Sequence, residues 1–115
     1  AVCFYLAKID KKVKAAFFVS GFAEPLEDDE EPYKSLIAPF MIKPPNWNKV
    51  RENCSNFIFF AGSNDPYVSR KIAKRFASLC GAKKFIIVPE GGHLNEEFGY
   101  TKFPLLLETI EKELF

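Results

Sequence analysis

The fold of this chain turns on residues 55–93, "SNFIFFAGSNDPYVSRKIAKRFASLCGAKKFIIVPEGGH". Within it, "FIFFAG" (57–62) and "KKFIIVPE" (83–90) are continuous apolar runs with little alternation, the pattern of strands covered on both faces. Between them, Ile72, Ala73, Phe76, Ala77 and Cys80 fall on one face of a helix, and Arg70, Lys71, Lys74 and Arg75 on the other. The basic face reads as solvated, and Gly81 is a natural residue to end the helix. Strand, helix, strand with unbroken apolar strands predicts a parallel pair joined by a right-handed crossover.

Working outward, "VKAAFFVSGF" (13–22) repeats the buried-strand pattern. "NWNKVRENC" (46–54) predicts a short helix with Asn46 as its cap, and "TKFPLLLETIEKELF" (101–115) a closing helix. In the closing helix Thr101 is the predicted cap, and Phe103, Leu106, Leu107, Ile110 and Leu114 are predicted to face inward. Residues 1–9 read as a helix without a cap residue before it, as though entered after its first turn. The acidic run Glu27–Glu31 reads as a solvated loop rather than a lid, and "KSLIAPFMIKPP" (34–45) is broken by Pro39, Pro44 and Pro45. The prediction is an α/β fold: a three-stranded parallel sheet with flanking helices. One strand edge is left open, through which the chain is expected to self-associate.

Bulk composition narrows the function. With 115 residues and 48% apolar content, the chain can bury one core. A net charge of +1 leaves no basic footprint for nucleic acid, and no apolar run is long enough for a membrane span. Cys3, Cys54 and Cys80 show neither zinc-ligand nor disulfide spacing. Reduced thiols and the absence of a leader pattern predict a cytoplasmic protein, with no metal and no cofactor.

Parallel sheets carry their sites at the carboxyl ends of the strands. Two turns are predicted to meet there. "AGSNDPY" (61–67) carries Asp65, and "EGGHLN" (90–95) carries His93, the single histidine of the chain. Taken singly, the Asp reads as a turn former and the lone His as a loop residue. On adjacent strand ends, however, the two residue types supply the orienting acid and the general base of a catalytic triad, Asp65 and His93. Of the other candidates, Ser20 reads as structural or substrate-side, Ser63 as bonding its own turn, and Cys3 as a small packing residue.

"PPNWNKVRENCSNFIFFAGSNDPYVS" (44–69) and "EGGHLNEEFGY" (90–100) together resemble the small α/β-hydrolase family of retinoblastoma-binding protein nine and its bacterial relatives. The resemblance runs the length of the chain and is most specific from Trp47 to Gly99. It implies a serine hydrolase acting on a carboxylic ester, thioester or amide, with Asp65 as triad acid, His93 as triad base and no cofactor. Residues 1–115 then correspond to the C-terminal portion of one α/β-hydrolase domain. The nucleophilic serine is expected just upstream of Ala1, on an elbow of the form G-H-S-x-G, and the chain alone is expected to be inactive. Its expected partners are a small acyl substrate and its own upstream segment, which would pair with the strand at 13–22. The alternative is a non-catalytic interaction module on the same scaffold. No L-x-C-x-E motif accompanies it, which weighs against retinoblastoma-type pocket binding.

Overall fold

The computed structural model describes residues 1–26 and 30–115, so Glu27, Asp28 and Asp29 of the acidic run lie outside the described residues. In chain order the elements are α1 (Val2–Leu6), β1 (Ala16–Val19), α2 (Tyr33–Met41), α3 (Trp47–Asn53), β2 (Phe57–Gly62), α4 (Arg70–Cys80), β3 (Lys84–Val88) and α5 (Pro104–Leu114). A single 3-10 turn, Glu96–Phe98, precedes α5.

The three strands form one parallel sheet in the order β1-β2-β3, as the apolar runs predict. β2 is central, and all of its residues are buried. Its side chains alternate between two cores. Phe57 and Phe59 pack with Cys3, Leu6, Val50 and Phe76, beneath α1, α3 and α4. Ile58 and Phe60 pack on the other face, with Phe103 and Leu106 beside them. Phe18 of β1, Phe59 and Phe76 form a tight aromatic group, with centroids 4.9–5.0 Å apart. Such tilted and offset contacts add to the burial of the rings themselves.

Helix ends follow local chemistry. Asn46 Oδ1 accepts from the Lys49 amide at 3.2 Å, and Ser69 Oγ accepts from the Ile72 amide at 3.3 Å. Gly81 closes α4 at φ 64°. Ile72, Ala73, Phe76, Ala77 and Cys80 are all buried, as the helical spacing predicts. Asn53, itself buried, donates to the carbonyls of Leu6 and Ile9 at 2.8 and 3.0 Å, so α3 satisfies the chain leaving α1.

The structure corrects four expectations. The first helix stops at Leu6 rather than Ile9, and β1 is confined to Ala16–Val19, with Val13 making only an isolated bridge to Cys54. The proline-rich stretch contains a helix after all: α2 runs through Pro39. Pro39 is near its C-terminal end, so the missing amide interrupts little helix beyond it. α5 starts at Pro104 behind Phe103, not behind Thr101, because proline suits the first helical position. That start turns Thr109 inward and leaves Leu107 59% exposed. Thr109 tolerates burial because its hydroxyl donates to the Leu105 carbonyl at 2.6 Å. Among the described residues, no helix is long and apolar enough to cross a membrane.

Candidate active site

β2 ends at Gly62 and β3 at Val88, and the turns that follow them lie in direct contact. A Cβ at Gly62 would sit 1.9 Å from the Gly92 carbonyl oxygen, so only glycine permits this approach. Side chains of the first turn hold the backbone of the second. Ser63 Oγ accepts from the Glu90 amide at 2.8 Å, and Asn64 Oδ1 accepts from the Gly92 amide at 2.8 Å. Ser63 thus bonds the neighbouring turn, not its own.

The base turn is further pinned at both ends of His93. Gly92 takes φ 59°, with the Phe98 ring packed where a Cβ would point. Leu94 takes φ 54° and is buried against Ile58 and Phe60. From the far side of the sheet edge, Ser20 Oγ donates to the His93 carbonyl at 2.7 Å. Ser20 is buried and has φ 51°, an uncommon conformation for serine that this bond helps hold. Its hydroxyl is therefore committed to positioning the base turn.

Asp65 and His93 meet as predicted: Asp65 Oδ2 lies 2.9 Å from His93 Nδ1. The other oxygen, Oδ1, accepts from the amides of Tyr67 at 2.8 Å and Val68 at 3.0 Å. One carboxylate thus bonds its own turn and faces the imidazole. Its side chain is 3% exposed, against 28% for the imidazole. An ionised carboxylate only accepts, so Nδ1 must carry the ring proton and Nε2 is left with its lone pair. Among the described residues, no side chain bonds Nε2.

Tyr67 flanks the imidazole edge-on, with ring centroids 5.2 Å apart. Its hydroxyl donates to the Glu97 carboxylate at 2.9 Å, which raises the phenol above its ordinary range. Tyr67, Asn64, and the positioning role of Ser20 are not apparent in the sequence pattern. The only local signal is the clustering of short polar residues in "GSND", which marks a turn without naming its partners. The three cysteines are free and buried. The Cys80 thiol is pushed up, first by its hydrogen bond with Cys3 and then by burial, and burial also raises Cys54. Neither is poised as a nucleophile. Among the described residues, no group of three or more His, Cys, Asp or Glu side chains gathers as metal ligands.

A family profile described as serine hydrolase matches residues 1–112. The chain belongs to the serine hydrolase family. Serine hydrolase RBBP9 of Rattus norvegicus is 28% identical over 87 residues, which cover 76% of this chain and 45% of the rat protein. The crystal structure of the ydeN gene product of B. subtilis superposes with a TM-score of 0.83 at 22% identity, over 97% of this chain and 58% of that one. A ydeN-like hydrolase from Pectobacterium atrosepticum gives a TM-score of 0.64 at 20% identity, over 97% and 52% of the two chains. These structures share the α/β-hydrolase fold. The chain spans about half the length of the relatives it matches.

Proposed function

We propose that this chain carries the acid–base half of a serine hydrolase, with His93 as general base and Asp65 as the acid that orients it. The reading rests on one observation: the 2.9 Å pairing of the nearly buried Asp65 carboxylate with His93 Nδ1, which leaves Nε2 to receive a proton. The nucleophilic serine is assigned to a segment outside these 115 residues. Membership of the family and the coverage of about half of each relative support that assignment.

In the complete site the serine oxygen attacks the carbonyl carbon of an ester, thioester or amide while Nε2 takes its proton. The imidazolium that forms is stabilised by Asp65. It then returns the proton to the leaving group as the carbon–leaving-group bond breaks, giving an acyl-enzyme. Water repeats the two steps and releases the acid. The cross-stitched turns serve this chemistry because they hold the ring without asking it to reorganise.

A fluorophosphonate probe tests the reading. The 115-residue chain alone should remain unlabelled. A longer protein containing it should label at a serine outside these residues, and His93→Ala should slow that labelling by roughly 10⁴-fold or more. Stoichiometric labelling of the short chain at Ser20 or Ser63, abolished by His93→Ala, would overturn the assignment of the nucleophile.

A further inference from the structure

An apolar cavity of about 340 Å³ opens among the start of α1, the turn after β1, and α2, α3 and α4. Phe4, Phe18, Phe22, Phe40, Trp47 and Phe76 supply its aromatic lining, and among the described residues no charged side chain lines it. Neither Asp65 nor His93 lines it, yet the two sites share one stretch of backbone. Ser20 holds the His93 carbonyl, and the next residues, Gly21 and Phe22, are cavity wall. Gly21 keeps that wall open, since a Cβ there would lie 3.0 Å from the Phe76 ring.

We propose that this cavity binds the apolar acyl group of the substrate, an uncharged aliphatic or aromatic group of medium size; this rests on the hydrolase reading above. Its volume is at the lower end of the roughly 300–1,000 Å³ typical of small-molecule sites. One acyl group of medium size fits that volume. Among the described residues the lining side chains offer ring faces and edges but no charge, so away from the Ala1 terminus an acyl group bearing a carboxylate or ammonium would be desolvated without compensation. The outer wall is α2, none of whose residues is buried, and Phe40 is 45% exposed. An acyl group in the cavity would bury part of that surface, which ties its affinity to apolar area.

Trp47 is the single tryptophan and lines the cavity, so its indole N–H signal reports occupancy directly. The probe is methyl hexanoate, titrated into the 115-residue chain with its Ala1 amine acetylated, so that no terminal charge faces the cavity. The comparator is monomethyl adipate, which adds a terminal carboxylate. Methyl hexanoate should shift the indole signal saturably, and monomethyl adipate should bind about tenfold more weakly or less. Ala23→Leu, which fills the cavity, and Phe40→Ala, which removes part of its exposed wall, should both weaken methyl hexanoate. Phe40 is on the surface, so its truncation tests the wall without threatening the core. His93→Ala should bind as tightly as the parent, because the ring does not line the cavity.

The proposal fails if there is no saturable shift, if the two esters bind equally, or if both wall variants leave the affinity unchanged. It also fails if a longer protein, with the cavity filled by its own chain, no longer binds methyl hexanoate. Binding without hydrolysis in the longer protein would remove the hydrolase reading and leave an apolar-ligand site. Hydrolysis without binding would do the reverse.

Discussion

One oxygen of Asp65 accepts from the Tyr67 and Val68 amides while the other faces His93 Nδ1, so turn and ring depend on a single side chain. Asp65→Asn separates the two. The amide oxygen still serves the turn, and the NH₂ group then faces Nδ1, which must accept. The neutral ring is forced into the Nε2–H tautomer, with little loss of stability. Because His93 is the only histidine, its two ring nitrogens can be read in a ¹⁵N spectrum without assignment ambiguity. A parent ring already protonated on Nε2 would contradict the orientation described above. Gly62 gives a second test. Gly62→Ala places a methyl group against the Gly92 carbonyl and amide, both backbone. It should cost about 1–3 kcal/mol in urea unfolding and move the His93 signals. Gly91→Ala meets the side chains of Leu94 and Val88 instead, which can give way, and should cost less.

At the scale of elements, α5 is tied to β3 by charge as well as by apolar packing. Glu113 is 7% exposed at its side chain, pairs with Lys83 at 3.0 Å and also contacts Lys84. The hydrogen bond from Lys84, then that from Lys83, lowers the carboxyl from 4.5 to about 2. A depressed acid stabilises the fold fully above its unfolded value. That contribution is lost as pH falls through the window from about 4.5 to about 2. Glu113→Gln should therefore be less stable than the parent at neutral pH, and the difference should close across this window. Thermal melts of the two proteins between pH 7 and pH 2 measure it. A constant difference down to pH 2 would mean that Glu113 acts through packing alone.

For the molecule as a whole, the open question of assembly lies at β1. In the three-stranded sheet β1 pairs only with β2, and its residues are half-buried where those of β2 are fully buried. The Ala16 amide donates to Asn56 and the Ser20 amide to Phe60, so in parallel geometry the Phe17 and Val19 amides turn toward the open edge. Hydrogen exchange should show this alternation in dilute solution, with Phe17 and Val19 fast and Ala16 and Ser20 protected. If the edge drives self-association, protection at Phe17 and Val19 should rise with concentration while the other amides stay unchanged. Exchange independent of concentration, with a monomeric mass, would show that the edge is silent in the isolated chain.

The sequence by itself determined the sheet, because unbroken apolar runs such as "FIFFAG" have no stable place except between two covered layers. It also determined α4, whose apolar face and closing glycine are local signals. The positions of Asp65 and His93 were legible for the same reason: the turns after parallel strands must share one edge. Contacts between segments far apart in sequence were not legible. Nothing local says that Asn64 bonds Gly92, that Ser20 holds His93 from another strand, or that Gly62 is small because Gly92 lies against it. The inward face of α5 was largely legible, since Phe103, Leu106, Ile110 and Leu114 are half-buried, but its start was misread because Pro104 takes the first helical position, and Leu107 stays exposed while Thr109 is buried. α2 was missed because proline marks a break by propensity, while whether a short helix survives it depends on where in the helix it falls. The apolar cavity had no signature at all. Its rings come from separate elements, and only the packing of those elements leaves a space between them.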